Sequence, residues 1–143
     1  MESKYLSASQ LFLRIALSIS FLSAVADRFG MWGMPGSPGV NWGNWQNFVQ
    51  YSNTLNAFAS PQIGNFLAIF ATVLEIVLPL LLLVGYKLKI TAFIAGCLLA
   101  SFGLVMTLSI GIKPSLDYSV WTSAAACFLL SVLQNHTFII KGE

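Results

Sequence analysis

Residues 61–110 read PQIGNFLAIFATVLEIVLPLLLLVGYKLKITAFIAGCLLASFGLVMTLSI, and this stretch decides the fold. Three of its side chains are charged, Glu75, Lys87 and Lys89, and the two lysines lie in or just after the single interruption, Gly85-Tyr86-Lys87. A hydrocarbon core about 30 Å thick needs about 20 residues of helix. Both halves, Pro61 to Val84 and Leu88 to Ile110, exceed that length. Gly85 stands where a helix stop is expected, and so short a link forces the two helices to run antiparallel as neighbours.

Working outward, two further segments satisfy the same length rule, Ser9 to Phe29 and Tyr118 to Phe138. Ile112-Lys113-Pro114-Ser115 reads as a second short turn, because Pro114 cannot continue the preceding helix. The expectation is therefore all-α, a membrane-embedded four-helix bundle forming one domain over residues 1–143. Composition agrees: 57% of the 143 residues are hydrophobic and 8% are charged, too few charges to hydrate the surface of a soluble domain. Lys4, an apolar run and Ala24-Val25-Ala26 imitate a cleavable signal. Arg14 interrupts the run, so a retained first span is expected. The net charge of +2 is dispersed, with no Lys/Arg run to suggest nucleic acid.

Lys4, Lys87, Lys89 and Lys141 fall on one side of this arrangement, Arg28 and Lys113 on the other. The positive-inside bias then predicts both termini in the cytoplasm. The connection from about Gly30 to Ser60 becomes a long first extracytoplasmic loop. Its aromatic residues Trp42, Trp45, Phe48, Tyr51, Leu55 and Phe58 recur every three or four positions, with Leu55 as the aliphatic member. That pattern predicts an amphipathic helix over about Asn44 to Ala57, lying in the outer interface. With Trp32, these tryptophans form either an anchoring belt or a lid over a cavity between the spans.

Ionisable residues within a span are costly and need a partner or a purpose. Arg14 lies roughly 8–10 Å inside span one and Glu75 roughly 15 Å from the same side in span two, by helical rise. An Arg14–Glu75 pair is therefore expected, serving as helix register or as the polar part of a ligand site. Gly64, Ala68, Ala71 and Thr72 share the Glu75 side of its helix, so Glu75 should point inward. At the outer face Asp27, Arg28, Asp117 and Tyr118 should gather, with an Arg28–Asp117 contact. Small residues recur every fourth position (Ala16, Ser20, Ala24; Ala92, Gly96, Ala100; Ser119, Ser123, Cys127, Ser131), the pattern of close membrane-helix packing. Cys97 and Cys127 read as packing residues. His136 has no second histidine or neighbouring cysteine with which to hold a metal or haem, so no metal site is expected.

Several segments resemble the DoxX family: Phe12-Leu13-Arg14, Ala26-Asp27-Arg28-Phe29-Gly30, Ala71-Thr72-Val73-Leu74-Glu75, Leu81-Leu82-Leu83-Val84-Gly85, Phe102-Gly103-Leu104-Val105-Met106 and Asp117-Tyr118-Ser119-Val120. The resemblance implies a four-helix membrane protein of the bacterial cytoplasmic (inner) membrane. It also implies similarity to a subunit of a thiosulfate:quinone oxidoreductase, hence an oxidoreductase connection. No cofactor is evident from the residues. The expected ligand is a quinone or lipid bound in or beside a membrane redox complex. The alternative is a noncatalytic assembly factor whose partners are membrane proteins or its own copies.

Overall fold

The computed structural model describes residues 2–133, and all its regular elements are helices. They are α1 (Glu2–Arg28), α2 (Trp45–Leu55), α3 (Pro61–Val84), α4 (Leu88–Ile110), α5 (Ile112–Asp117) and α6 (Val120–Val132). Three are long and apolar enough to cross a membrane: Lys4–Arg28 within α1, then α3 and α4. The fourth expected span is described as α6 as far as Val132; its remainder to Phe138, His136 and Lys141 lie outside the described residues. The expected turn at 112–115 is instead the short helix α5, which starts after Gly111 and carries Pro114 in its first turn, where a missing N–H costs nothing.

α1 packs on α3, α3 on α4, α4 on α6, and α6 returns to α1, while α2 lies across α1, α3 and α4. The core is the shared interior: Leu17 and Phe21 of α1, Leu78 and Leu82 of α3, Ala92 and Ala95 of α4, Cys127 and Leu130 of α6. The opposite flanks leave Phe66, Val73, Phe93 and Leu104 exposed, as lipid-facing sides require. The small residues of α4 serve its contact with α6. A Cβ on Gly96 would lie 2.7 Å from the Phe128 ring, and one on Gly103 2.9 Å from the Trp121 indole. Each glycine is the socket for an aromatic side chain of the facing helix.

The α1–α3 contact is sewn by polar side chains. Ser18 donates to the Pro79 carbonyl at 3.0 Å. Arg14, only 1% exposed, donates through Nε to Leu82 O and through Nη2 to Leu83 O, both at 2.8 Å. The end of α3 is otherwise closed by Gly85 N–H to Leu82 O and Tyr86 N–H to Leu81 O, a Schellman arrangement. Arg14 is thus a second, cationic cap on carbonyls at the negative end of the α3 dipole.

The other end of α1 organises the loop over residues 29–44. Asp27 is buried, and its carboxylate accepts three backbone N–H groups: Asn41 at 2.8 Å and Trp42 at 3.3 Å on Oδ2, Gly43 at 3.2 Å on Oδ1. Gly43 has φ +67, and a Cβ there would meet Pro35 N at 2.5 Å, so only glycine fits. Asn44 then caps α2 by accepting from Asn47 N–H at 2.8 Å. Asp27 thus gathers the end of the loop and sets where α2 begins.

Arg14→Met should cost roughly 2–3 kcal/mol, the scale of hydrogen bonds to a charged donor, read as a lowered Tm in mild detergent; an unchanged Tm would remove Arg14 as a cap. Asp27→Asn should raise hydrogen exchange at the 41–43 amides by at least about tenfold, the equivalent of one lost charge-assisted bond. Unaltered protection there would show the loop to be held by other contacts.

Candidate functional site

Glu75 sits in the seventh-residue rhythm of buried positions on α3, with Ala68, Thr72, Leu78 and Leu82 on the same inward side. Arg28 meets it. Its Nη1 donates to Glu75 Oε2 at 2.5 Å and to Thr72 Oγ1 at 2.7 Å, and both charged side chains are 5% exposed. Thr72 passes the polarity on by donating to Ala68 O at 2.8 Å. Arg28 Nε is buried with no hydrogen-bond partner among the described residues.

The expected Arg14–Glu75 pair is therefore corrected to Arg28–Glu75, and the register explains why. Ser18 opposite Pro79 and Arg14 opposite Leu82 put Glu75 level with Phe21 or Leu22 of α1. Arg28 and Arg14 are then each roughly 10 Å away along the axis, within an arginine's reach, so depth does not choose between them. The ends of α3 do. Arg14 lies beside a helix C-terminus, whose carbonyls attract a cation, whereas Arg28 lies toward the N-terminal half, where the carboxylate is the available acceptor.

The expected Arg28–Asp117 contact is corrected as well. Asp117 pairs with Lys113, one turn away on α5, and both are exposed. A partner on the same short helix costs less chain ordering than one on another helix. Of the four outer-face residues, Asp27, Arg28 and Tyr118 line a common cavity; Asp117 does not.

That cavity has a volume of about 1330 Å³ and lies among α1, α2, α3, α4 and the start of α6. Arg28 and Glu75 form part of its wall. Leu67, Phe70, Leu98, Leu99, Phe102 and Val105 supply much of the apolar lining. α2 and the preceding loop close it with Trp42, Phe48 and Tyr51. The guanidinium carbon of Arg28 lies 3.9 Å from the Phe48 ring centre and 5.4 Å from that of Trp42, both within cation–π range. Phe48 and Trp42 meet edge to face at 5.2 Å. Burial, and then the neighbouring Tyr118, push the Tyr51 phenol above its ordinary value, so it remains a neutral donor at physiological pH.

Of the loop tryptophans, Trp32 and Trp42 line the cavity, and Trp32 donates to Ser23 O at 3.1 Å. Trp45 faces away: it stacks on Phe29 at 5.9 Å and borders a separate groove between α2 and α3 with Gln46, Gln50, Asn53 and Asn65. Sequence reasoning placed Glu75 inward and marked the tryptophans, but it gave Phe48 no role over a cation. The signal was present, since Phe48 shares the buried side of α2 with Ser52. Asp27 as a loop latch was also missed, because its partners are backbone groups that carry no sequence signature.

Among the described residues, no group of three or more His, Cys, Asp and Glu side chains is placed to hold a metal ion. Cys97 is exposed and Cys127 buried, and both are free thiols. The arrangement can receive a largely apolar molecule, offer it one hydrogen-bonding end, and keep water from that end.

Searches of curated proteins and of solved structures find no match to the chain. The DoxX family model matches residues 9–108, which takes in α1 through nearly all of α4, both members of the Arg28–Glu75 pair and the whole of the loop and α2 above it. With membrane-length apolar helices and a family match over more than half its length, the chain belongs to the DoxX family.

Proposed function

We propose that this protein binds a lipophilic small molecule, a quinone or a lipid, in the cavity beneath α2, in or beside a membrane redox complex. One observation carries the reading: a buried, hydrogen-bonded ion pair stands in the wall of a large and mostly apolar cavity. Ligand pockets have this character, apolar and aromatic walls with a few fixed polar groups that set orientation. An ion pair used only to hold two helices together would be better placed in closed packing, since burying charge beside empty volume adds desolvation without adding contacts.

In this reading the apolar segment that contains α6 is a fourth span, and the protein is a four-helix bundle of the bacterial cytoplasmic membrane with both termini inside. α2 lies in the outer interface, with Phe58, Met31 and Met34 exposed on the same side of the molecule as the loop. The cavity then opens near the outer headgroups, where an amphiphile diffusing in the leaflet would enter head first or tail first according to what the wall rewards. The noncatalytic assembly reading drew on the small-residue seams. At Gly96 the seam on α4 is occupied from within by Phe128, which leaves that position unavailable to a partner helix.

Protein purified in mild detergent should yield a stoichiometric quinone or lipid on mass spectrometry of its organic extract. Glu75→Gln should reduce that yield at least about tenfold per folded molecule, with monodispersity as the folding control. Val105→Trp, which fills the apolar half and leaves the ion pair alone, should reduce it too. Bulk lipid only, equal in all three proteins, would sink the binding reading and favour the assembly role.

A further inference from the structure

The charges around the cavity say what kind of head its ligand carries. Asp27, Arg28 and Glu75 are the charged residues in its lining. Each already has partners. Both oxygens of Asp27 take backbone N–H groups of the loop. Glu75 Oε2 takes Arg28 Nη1, and the guanidinium lies against Phe48 and Trp42. The aromatic enclosure that could have received a ligand's cation is filled by the protein's own.

An entering carboxylate or phosphate would add a third negative charge beside two fixed carboxylates and one cation. With little water to screen them, like charges at such range repel strongly. An entering ammonium would meet the Arg28 guanidinium already seated against Phe48 and Trp42, which repels it in the same way. Among the fully buried polar atoms of the lining, the one left without an acceptor among the described residues is the N–H of Arg28 Nε. An uncharged oxygen acceptor satisfies that donor and leaves the Arg28–Glu75 pair intact.

Resting on the lipophile-binding reading above, we infer that the site selects uncharged amphiphiles with a carbonyl-type oxygen at the head, bound by Arg28, and excludes anionic and cationic amphiphiles of the same chain length. The head lies at Arg28 under Phe48, and the tail runs along Phe70, Leu98, Leu99 and Phe102. Ketones, esters and quinones fall inside this class. Fatty acids, alkyl phosphates and alkyl amines fall outside it. Phe48 lies over the guanidinium, so α2 must yield slightly for the head to seat, and the Asp27 latch limits how far.

The test is equilibrium binding of four probes of matched chain to the full chain in phosphatidylcholine nanodiscs at pH 8: 2-hexadecanone, hexadecanoate, hexadecyl phosphate and hexadecylamine. The ketone should bind at least about tenfold tighter than each of the three charged probes. Arg28→Lys keeps a cation for Glu75 and for the rings but has one nitrogen instead of three. It should lose about tenfold for the ketone at equal folded fraction, the value of one hydrogen bond to a charged group. If that variant does not fold, the wild-type ranking still decides. A charged probe binding as tightly as the ketone would overturn the charge selection while leaving a lipophile site in place. Equal ketone affinity in Arg28→Lys would overturn the role of Arg28. Absence of saturable binding by any probe would overturn the parent reading as well.

Discussion

A carboxylate in the middle of an otherwise apolar helix must be answered by a cation, and the way Glu75 is answered fixes much of what surrounds it. Arg28 supplies the charge, and Thr72 takes a second of its hydrogens. That ties the C-terminal end of α1 to the centre of α3. Arg14 and Ser18 tie the N-terminal half of α1 to the end of α3, so the two helices are pinned along their whole contact. Because Asp27 precedes Arg28, pinning one places the other, and Asp27 then collects the loop amides that set the start of α2. α2 in turn lowers Phe48 onto Arg28. The pair and the lid over it are thus parts of one closed arrangement, and neither is positioned without the other.

Most of the helical layout was legible in residues 61–110 and in the apolar run before Phe29, because span length and short links leave few alternatives in lipid. α3 and α4 occur with the bounds read from sequence, and α2 falls within the amphipathic stretch expected between Asn44 and Ala57. The inward direction of Glu75 was legible too, since small residues mark the close contact. Its partner was not. Two arginines on one side of α1, fourteen positions apart, stand almost equally far from Glu75 along the axis, and a depth measured from helix ends cannot separate them. The missing information was the register between helices. It comes from backbone acceptors, the carbonyls of Pro79, Leu82 and Leu83, which every residue possesses and no sequence advertises. The same blindness hid the Asp27 latch. Asp117 failed for a different reason: a lysine four residues back on the same helix satisfies it locally, and the across-bundle contact had nothing left to offer.

The family match and the geometry bear on different questions. Residues 9–108 contain both charges of the pair and the entire lid, so the polar end of the cavity is built within the segment the family model recognises. Tyr118, Val120 and Ser123, which complete the wall, lie beyond it. The shared segment therefore carries the ion pair and the aromatic cover over it, and the later helix completes the wall.

The two arginines of α1 show why charge count alone is a poor guide inside a membrane protein. Arg14 carries its full charge beside carbonyls at a helix end, which solvate it with aligned dipoles. Arg28, the last residue of α1, turns its side chain to a carboxylate, two aromatic faces and a hydroxyl instead. The difference matters for function. A cation solvated by backbone has its donors used by groups that cannot leave, so it is part of the scaffold. A cation held by side chains around a cavity keeps one N–H uncommitted, and the cost of that unmade bond is what a ligand can relieve. Of the two buried arginines, the one at the cavity has a buried N–H without an acceptor among the described residues, and in the proposed reading this separates a structural charge from a binding one more sharply than depth in the membrane does.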